Sequence, residues 1–256
     1  MRHIKKLLTG VAVAAMVAFV ACDNEATTER DDNIPTTPIQ EMCYTPEKTS
    51  FELWAPTAES AVVRLYNGDE LAEVVAMQRG DKGLWSAEVE GDKKGMYYAF
   101  QVSVDGNILK ETAGIFARAL DVNGNRGAII DMRDTDPEGW SEDKTQKVKP
   151  SEIVIYEMHY RDMTAHVSAG SSYPGKYIGM AERGTRSLEG LATGIDHLKE
   201  IGVTYVQLLP STDYITVDET RLDTPQYNWG YDPFNYNAVE GSYSTDPYNP
   251  VTRIRE

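Results

Sequence analysis

The fold is decided by the stretch TGIDHLKEIGVTYVQLLP at residues 193–210. Its first half carries apolar side chains at three- and four-residue intervals, the spacing of one helix face, and Gly202 is a residue type that ends helices. Residues 203–209 are mostly apolar, as in strands buried on both faces of a parallel sheet. A similar run occupies residues 153–156. Strand, helix and strand predict a βαβ unit with parallel strands.

The start of this helix has two alternatives. Leu188 and Leu191 extend the apolar face towards the N-terminus, whereas Gly190 and Gly194 weaken the turns there. Residues 193–196, Thr-Gly-Ile-Asp, would serve as a capping box and start the helix later.

Short β-type runs recur earlier in the chain, between turn signals such as Asn67-Gly68 and Asp105-Gly106-Asn107. The runs cover residues 51–54, 61–66, 71–77, 84–89, 97–104 and 128–132. Several short strands at this spacing predict a β-sandwich.

A third feature is the heptad YNWGYDP at residues 227–233. Three aromatic residues, a glycine and a carboxylate suit a sugar site, because flat rings cover the apolar faces of glucose while polar groups bind its hydroxyls. The heptad resembles the one in type I pullulanases of the alpha-amylase superfamily. It indicates alpha-glucan chemistry.

The resemblance extends over most of the chain. Residues 156–164 and 193–210 are similar to the first strand, first helix and second strand of the pullulanase barrel, and residues 51–66 are similar to the immunoglobulin-like module before that barrel. The implied fold is multidomain, with an immunoglobulin-like β-sandwich of the starch-binding type at residues 46–140 and the truncated start of a catalytic (β/α)8 TIM barrel at residues 151–256.

The resemblance also implies roles for three residues of the heptad. Tyr231 stacks on the sugar bound just before the scissile bond, and Trp229 and Asp232 shape that subsite. Gly230 permits the tight turn that presents the ring beside it. The alternative is a rigid aromatic loop that holds the barrel mouth together. We favour substrate contact for Tyr231 and leave both interpretations open for Trp229 and Asp232.

Other candidate residues are interpreted as structural. His159 and Arg161 follow the first predicted barrel strand, and we expect buried hydrogen bonds there, or a pairing of Arg161 with Asp162. Trp54, Trp85, Tyr97 and Tyr98 could form a glucan platform on the sandwich. Aromatic residues at alternating strand positions more often pack inside a sandwich, and we favour that interpretation.

No catalytic residue is assigned. Retaining glycoside hydrolysis uses a nucleophilic carboxylate and a carboxylic acid about 5 Å apart, and the family draws its aspartate nucleophile, glutamate acid/base and second aspartate from later barrel strands. Asn249 and Pro250 start a final helix that nothing ends, so we expect the front part of a longer protein. We also expect the chain alone to aggregate and to leave pullulan uncleaved.

The function implied is a pullulanase-type glycoside hydrolase that cleaves alpha-1,6-glucosidic branch linkages in pullulan, starch or glycogen. One alternative is another debranching or branching enzyme of the superfamily, although Asp232-Pro233 after Tyr231 favours pullulanase. The other alternative is a non-catalytic starch-binding surface lipoprotein. No cofactor is identified. Calcium is left open, because metal ligands of this superfamily lie largely outside this region.

The N-terminus has the layout of an export signal. Arg2, Lys5 and Lys6 precede an apolar stretch at residues 7–20, too short to span a bilayer comfortably, and Ala21 precedes Cys22. This layout resembles a bacterial lipoprotein signal at residues 1–21, with Cys22 lipidated and residues 22–45 as a flexible tether. We expect a lipoprotein anchored at the outer membrane, the cell surface or the periplasmic face; simple secretion is the alternative.

Charge and cysteine content exclude several classes of function. The formal net charge is −15, and loss of the three positive side chains in residues 1–21 makes it −18. Such an acidic protein repels nucleic acids and anionic lipids, so membrane contact would come through the lipid anchor alone. With Cys22 modified, Cys43 has no cysteine to pair with, and the four scattered histidines lack zinc-site spacing.

Overall fold

The structure is a computed structural model that describes residues 34–145 and 147–256. The predicted signal peptide, Cys22 and the first part of the predicted tether lie outside the described residues. In the two described ranges, no helix has the length and apolar character needed to cross a membrane.

Nine strands build the first half of the described chain. They are β1 (Met42–Tyr44), β2 (Lys48–Trp54), β3 (Ser60–Asn67), β4 (Glu70–Ala76), β5 (Gln78–Arg79), β6 (Leu84–Glu90), β7 (Tyr97–Val104), β8 (Asn107–Ile108) and β9 (Gly127–Ala128). One sheet has the order β1-β2-β6-β5; the other has the order β4-β3-β7-β8, with β9 also paired to β7. Every pairing is antiparallel. The predicted β-sandwich is confirmed.

The sandwich core is aromatic and lies between the two sheets. Phe51 on β2 packs against Tyr98 and Phe100 on β7, with ring centroids 5.2 and 6.2 Å away. All three residues are at most 2% exposed. Side chains alternate between core and solvent along β6, which is the two-residue period of a half-buried strand. This alternation explains why the strands could be predicted from sequence.

The aromatic residues considered for a glucan platform do not form one. Trp85 and Tyr98 are 5% and 2% exposed and belong to the core, so the core-packing interpretation is confirmed for them. Trp54 lies on β2 and Tyr97 on β7, in different sheets. The Trp54 indole also donates a hydrogen bond to the Lys82 carbonyl at 3.0 Å.

Predicted boundaries are wrong at both ends of the sandwich. The range 22–45 was predicted as a tether, but Met42–Tyr44 is a strand in which Met42 lies opposite Phe51. A three-residue strand in a polar segment has too short a pattern to be recognised from sequence. The last predicted strand, residues 128–132, is reduced to Gly127–Ala128.

The second half of the described chain mixes short strands and helices. These are β10 (Ile155–Met158), α1 (Asp162–Ala165), α2 (Tyr177–Ala181), α3 (Gly194–Glu200), β11 (Tyr205–Leu208), β12 (Thr212–Asp213), β13 (Asn235–Val239) and α4 (Pro250–Arg255). β10 and β11 are parallel, with Ile155 opposite Tyr205, and α3 lies between them in sequence. The predicted βαβ unit is confirmed. β12 and β13 form an antiparallel pair.

Of the two predicted starts of α3, the later one is confirmed, but the predicted capping box does not form. α3 begins at Gly194, and Leu188 lies outside it with 83% exposure. The Thr193 hydroxyl donates to the Ala169 carbonyl at 2.6 Å instead of capping the helix. The Asp196 carboxylate accepts from the Gly184 N–H at 2.6 Å. Both side chains therefore fix the preceding loop.

The predicted start of the last helix is confirmed. The Asn249 carboxamide oxygen accepts hydrogen bonds from the N–H groups of Val251 and Thr252, both at 3.1 Å, directly before Pro250. These bonds satisfy two of the free donors at the helix start.

The sandwich and the second half share small hydrophobic clusters. Leu120 packs with Ala238 of β13 in one cluster, and Ile130 packs with Val251 and Ile254 of α4 in another. The two described ranges accordingly belong to one compact unit.

The parallel pair β10–β11 keeps much of its apolar surface exposed. Ile155 is 61% exposed, and Tyr156, Val206 and Leu208 are each about 40% exposed. In the described part of the chain, neither strand has a partner on its other side.

The aromatic sandwich core gives the first prediction. Replacing Phe51 by alanine should lower the free energy of unfolding by about 3–5 kcal/mol, because it leaves a cavity beside Tyr98 and Phe100. Urea denaturation measures this change. The control is Ile108→Ala on β8, where the side chain is 75% exposed and the expected change is within about 0.5 kcal/mol. Equal effects of the two substitutions would contradict the described core.

Candidate functional site

The heptad forms a loop, residues 227–233, at the carboxyl ends of the parallel strands; we call it the aromatic loop. His159 directly follows β10, and its Nε2 lies 3.1 Å from the Asn228 carbonyl oxygen. Pro210 follows β11, and its carbonyl oxygen lies against Gly230. The carboxyl end of a parallel sheet is where α/β proteins bind ligands.

Glycine is required at the centre of this loop. Gly230 has a φ of +87°, and a Cβ atom there would lie 2.5 Å from the Pro210 carbonyl oxygen. The Asn228 carboxamide oxygen accepts the Gly230 N–H at 2.7 Å and closes the turn. The turn presents Trp229 and Tyr231 on either side of the glycine, as expected from the sequence.

The aromatic side chains of the loop face an open cleft of about 480 Å³ lined by Tyr227, Asn228, Trp229, Tyr231 and Asp232. Tyr227, Trp229 and Tyr231 are 53%, 63% and 65% exposed. The structure thus brings together the three candidate substrate-binding residues, Tyr231, Trp229 and Asp232, and leaves the rings of Tyr231 and Trp229 exposed. Asp232 accepts a hydrogen bond from the Thr216 hydroxyl at 3.3 Å. Their contact with substrate stays a prediction.

His159 and Arg161 hold the loop backbone from below. The Nδ1 atom of His159, which is 7% exposed, accepts the Arg161 N–H at 3.1 Å, and this assigns the ring proton to Nε2, facing Asn228. The Arg161 guanidinium donates to the Gln226 carbonyl. Asp162 lies instead near the Tyr227 hydroxyl, at 3.4 Å. The side chains of His159 and Arg161 therefore support the loop, and Arg161 does not pair with Asp162.

A buried tyrosine cluster, which the sequence did not predict, lies beneath His159. The Tyr243 hydroxyl lies 3.1 Å from His159 Nε2 and accepts from the Tyr214 hydroxyl at 3.0 Å. Its ring stacks on Tyr160, with centroids 5.7 Å apart. Burial raises the pKa of Tyr214 and of Tyr243, so both hydroxyls stay protonated. The tyrosines come from separate segments without a common spacing, so no sequence pattern indicates the cluster.

A buried ionic cluster lies farther in, and we call it the Arg253 cluster: Arg253, Asp213, Glu219 and Glu240. Arg253 is 2% exposed and donates to Asp213 at 3.0 Å and to Glu219 at 3.2 Å. The Glu240 carboxylate accepts the N–H groups of Ser242 at 2.9 Å and Tyr214 at 3.2 Å. Every carboxylate of the cluster is therefore hydrogen-bonded.

The Arg253 cluster joins the sandwich to the second half. Arg253 also donates to the Asp121 carbonyl at 2.9 Å. Asn123 and Glu219 exchange two hydrogen bonds of 2.7 Å, one between the Asn123 N–H and the Glu219 carboxylate and one between the Glu219 N–H and the Asn123 side chain. The segment before β9 is thereby fixed to the segment after β12.

The three carboxylates do not fit a metal site. Oxygen atoms of Asp213, Glu219 and Glu240 lie within 4.8 Å of one another, which is close enough to share an ion. The Arg253 guanidinium already supplies a fixed positive charge to two of them. A cation bound there as well would be repelled by that guanidinium.

The cluster gives a prediction for pH dependence. Burial, followed by repulsion from Glu219, raises the pKa of Glu240 from 4.5 to about 7. Because the folded state holds this proton more tightly than the unfolded state, the stability it contributes is complete below about pH 4.5 and is lost as pH rises through about 7. Replacing Glu240 by glutamine should therefore flatten the fall in unfolding free energy over this range, by up to about 3 kcal/mol.

Urea denaturation at several pH values between about 5 and about 7.5 measures this difference. Glu138→Gln, at an exposed position, is the matched control and should follow the wild type. Parallel stability curves for the wild type and Glu240→Gln would show that Glu240 does not titrate as described.

Comparison with known proteins adds family relationships to this geometry. Residues 38–114 match carbohydrate-binding module 48, the isoamylase N-terminal domain. The chain is 37% identical over 214 residues to a pullulanase of Bacillus subtilis strain 168. The chain is homologous to pullulanases. That alignment covers 83% of this chain and 29% of the relative, so the chain spans less than a third of the relative's length.

Solved pullulanase structures resemble the described fold. A pullulanase variant of Paenibacillus barengoltzii complexed with maltotriose has a TM-score of 0.83 and 45% identity, covering 86% of this chain and 35% of that one. The pullulanase of Bacillus acidopullulyticus has a TM-score of 0.80 and 40% identity, covering 87% and 28%. The sandwich thus matches the N-terminal domain of pullulanases, which are glycoside hydrolases.

Proposed function

We propose that the complete protein is a pullulanase-type glycoside hydrolase that cleaves alpha-1,6-glucosidic linkages in pullulan, starch or glycogen. The observation that carries this proposal is the open aromatic cleft at the carboxyl ends of β10 and β11, in a chain homologous to pullulanases. One of those relatives is complexed with maltotriose, an alpha-glucan fragment.

The proposal includes an architecture for the second half of the chain. Residues 151–256 would be the first part of a catalytic (β/α)8 barrel, and residues 46–140, together with β1, a carbohydrate-binding module. The parallel βαβ unit supports the barrel, as do the exposed apolar side chains of β10 and β11, because barrel strands are covered on both faces. The catalytic carboxylates would come from later strands.

In this proposal Tyr231 stacks on the sugar next to the scissile bond, with Trp229 and Asp232 beside it. Aromatic rings bind the apolar face of a glucose unit, and Asp232 offers a carboxylate to its hydroxyls. His159 and Arg161 act on the substrate indirectly, by fixing the loop backbone at Asn228 and Gln226. The cleft then contributes positioning, and the bond-breaking groups lie elsewhere.

The substrate test uses the complete protein and pullulan. Release of reducing ends measures the activity, and a debranching enzyme should yield maltotriose units. Replacing Tyr231 by alanine should lower kcat/KM roughly tenfold, because a ring that covers a sugar face contributes on the order of 1–2 kcal/mol. Tyr231→Phe keeps the ring and should stay within about threefold of the wild type.

Tyr236→Ala is the matched control, because Tyr236 is 70% exposed on β13 and does not line the cleft. It should leave kcat/KM unchanged. Equal losses in Tyr231→Ala and Tyr236→Ala would refute the role of Tyr231, and an inactive wild type would refute the hydrolase proposal.

A second candidate is a non-catalytic starch-binding protein, which the match of residues 38–114 to a carbohydrate-binding module favours. Electrophoresis of the complete protein in gels with and without amylopectin separates the two candidates. Retardation without hydrolysis would favour the binding protein. A branching enzyme would instead change the chain-length distribution of amylose without releasing reducing ends.

We also propose that the protein is exported and anchored through lipidated Cys22. The N-terminal layout of basic residues, a short apolar stretch and Ala21-Cys22 supports this proposal. Replacing Cys22 by serine should move the protein from the membrane fraction to the soluble exported fraction, as measured by immunoblotting after ultracentrifugation. A wild-type protein found only in the soluble fraction would instead support simple secretion.

A further inference from the structure

A second, smaller cavity lies behind the aromatic loop. It has a volume of about 210 Å³, and its walls include Arg161, Lys176, Thr224, Gln226, Ser242 and Tyr243. It does not share a lining residue with the aromatic cleft. Besides Arg161, which holds the aromatic loop at Gln226, a second cationic residue, Lys176, lines this cavity.

Arg161 and Lys176 both line this cavity, and none of its lining residues is an aspartate or a glutamate. Neither Arg161 nor Lys176 forms a salt bridge with any residue in the described ranges. Both side chains are half-buried. Burial lowers the pKa of Lys176, and the Arg161 charge lowers it further, which places the two charges near each other.

The acidic residues around Lys176 act from outside the cavity. Glu256, Glu219 and Glu240 each raise the pKa of Lys176 through their charges, but none lines the cavity. Glu219 is paired with Arg253, and Glu256 is bonded to Thr245. These carboxylates therefore reduce the positive potential without neutralising the cavity.

The side chains of Arg161 and Lys176 each make one hydrogen bond and keep further donors. Arg161 uses a guanidinium N–H for the Gln226 carbonyl, and Lys176 donates to the Ser242 carbonyl at 2.8 Å. The remaining N–H groups of both cations have no acceptor among the described residues. The Thr224 hydroxyl donates to the Arg221 carbonyl, and the Tyr243 hydroxyl accepts from the Tyr214 hydroxyl and lies 3.1 Å from His159 Nε2.

We propose that this cavity binds a small inorganic anion between the Arg161 guanidinium and the Lys176 ammonium. The cavity is large enough for a halide or a tetrahedral oxyanion, and two cationic donors are the chemistry that recognises either. An anion there would connect the segment after β10 with the segment before α2, directly below Gln226. It would thereby stabilise the base of the aromatic loop.

The test measures thermal unfolding of the complete protein at constant ionic strength. Sodium chloride or sodium phosphate replaces the sodium salt of a sulfonate buffer, which is bulkier than either anion. Because a ligand that binds the folded state raises Tm with its concentration, we expect Tm to rise with chloride, phosphate or both. The two salts distinguish a halide site from an oxyanion site. An unchanged Tm in all three salts would overturn the proposal.

Two substitutions of Lys176 test whether the dependence of Tm on the anion arises from binding in the cavity. Lys176→Gln should weaken the apparent anion affinity at least about tenfold, whereas Lys176→Arg should stay within about threefold. The control Lys199→Gln removes an exposed lysine on α3 and should retain the wild-type affinity. The same anion dependence in Lys176→Gln and Lys199→Gln would overturn the proposal.

A further variant tests anion binding in the cavity if Lys176→Gln does not fold. Thr224→Asp introduces a carboxylate into the cavity wall, where it would take the place of the anion. This variant should have a higher Tm than the wild type in the sulfonate salt, and its Tm should no longer depend on chloride or phosphate. Retention of the full anion dependence would contradict the proposed site.

Discussion

The buried guanidinium of Arg253 is the constraint on which the described structure depends. It is bonded to two buried carboxylates, Asp213 and Glu219, and to the Asp121 carbonyl, so it joins α4, β12 and the sandwich at one point. Removing one partner of a buried ion pair leaves an uncompensated charge and costs about 3–5 kcal/mol. The pairing of β12 with β13 is short, and the ionic contacts of the Arg253 cluster fix these strands in addition to that pairing.

The Arg253 cluster also explains how the exposed aromatic loop keeps a fixed backbone conformation. Within the Arg253 cluster, the Glu219 carboxylate accepts the Gly241 N–H and the Glu240 carboxylate accepts the Ser242 N–H, directly before Tyr243. Tyr243 in turn meets His159, which fixes the backbone of the aromatic loop. A chain of buried polar contacts thus leads from the sandwich junction to the cleft. The aromatic rings project from a backbone that is held from below, which suits recognition of a rigid, flat-faced sugar.

Sequence reasoning succeeded where a local pattern was long enough. Local patterns of this kind are the alternation along β6, the apolar run ending at Pro210 and the Asn249 cap. Each has a period or spacing that is typical of one kind of secondary structure. The position of the aromatic loop followed from its place after β11. The capping box failed because Thr193 and Asp196 bond to neighbouring loops instead. The Arg253 cluster was not predictable, since its members are far apart in sequence and follow no period.

Amide hydrogen exchange of wild type and Arg253→Met, with Arg255→Met on the same helix as control, tests the central claim most directly. If Arg253 couples the sandwich to the second half, Arg253→Met should lose protection together in residues 121–126 and 212–241, while Arg255→Met keeps both. Loss confined to residues 249–256, or unchanged protection in both segments, would contradict the account.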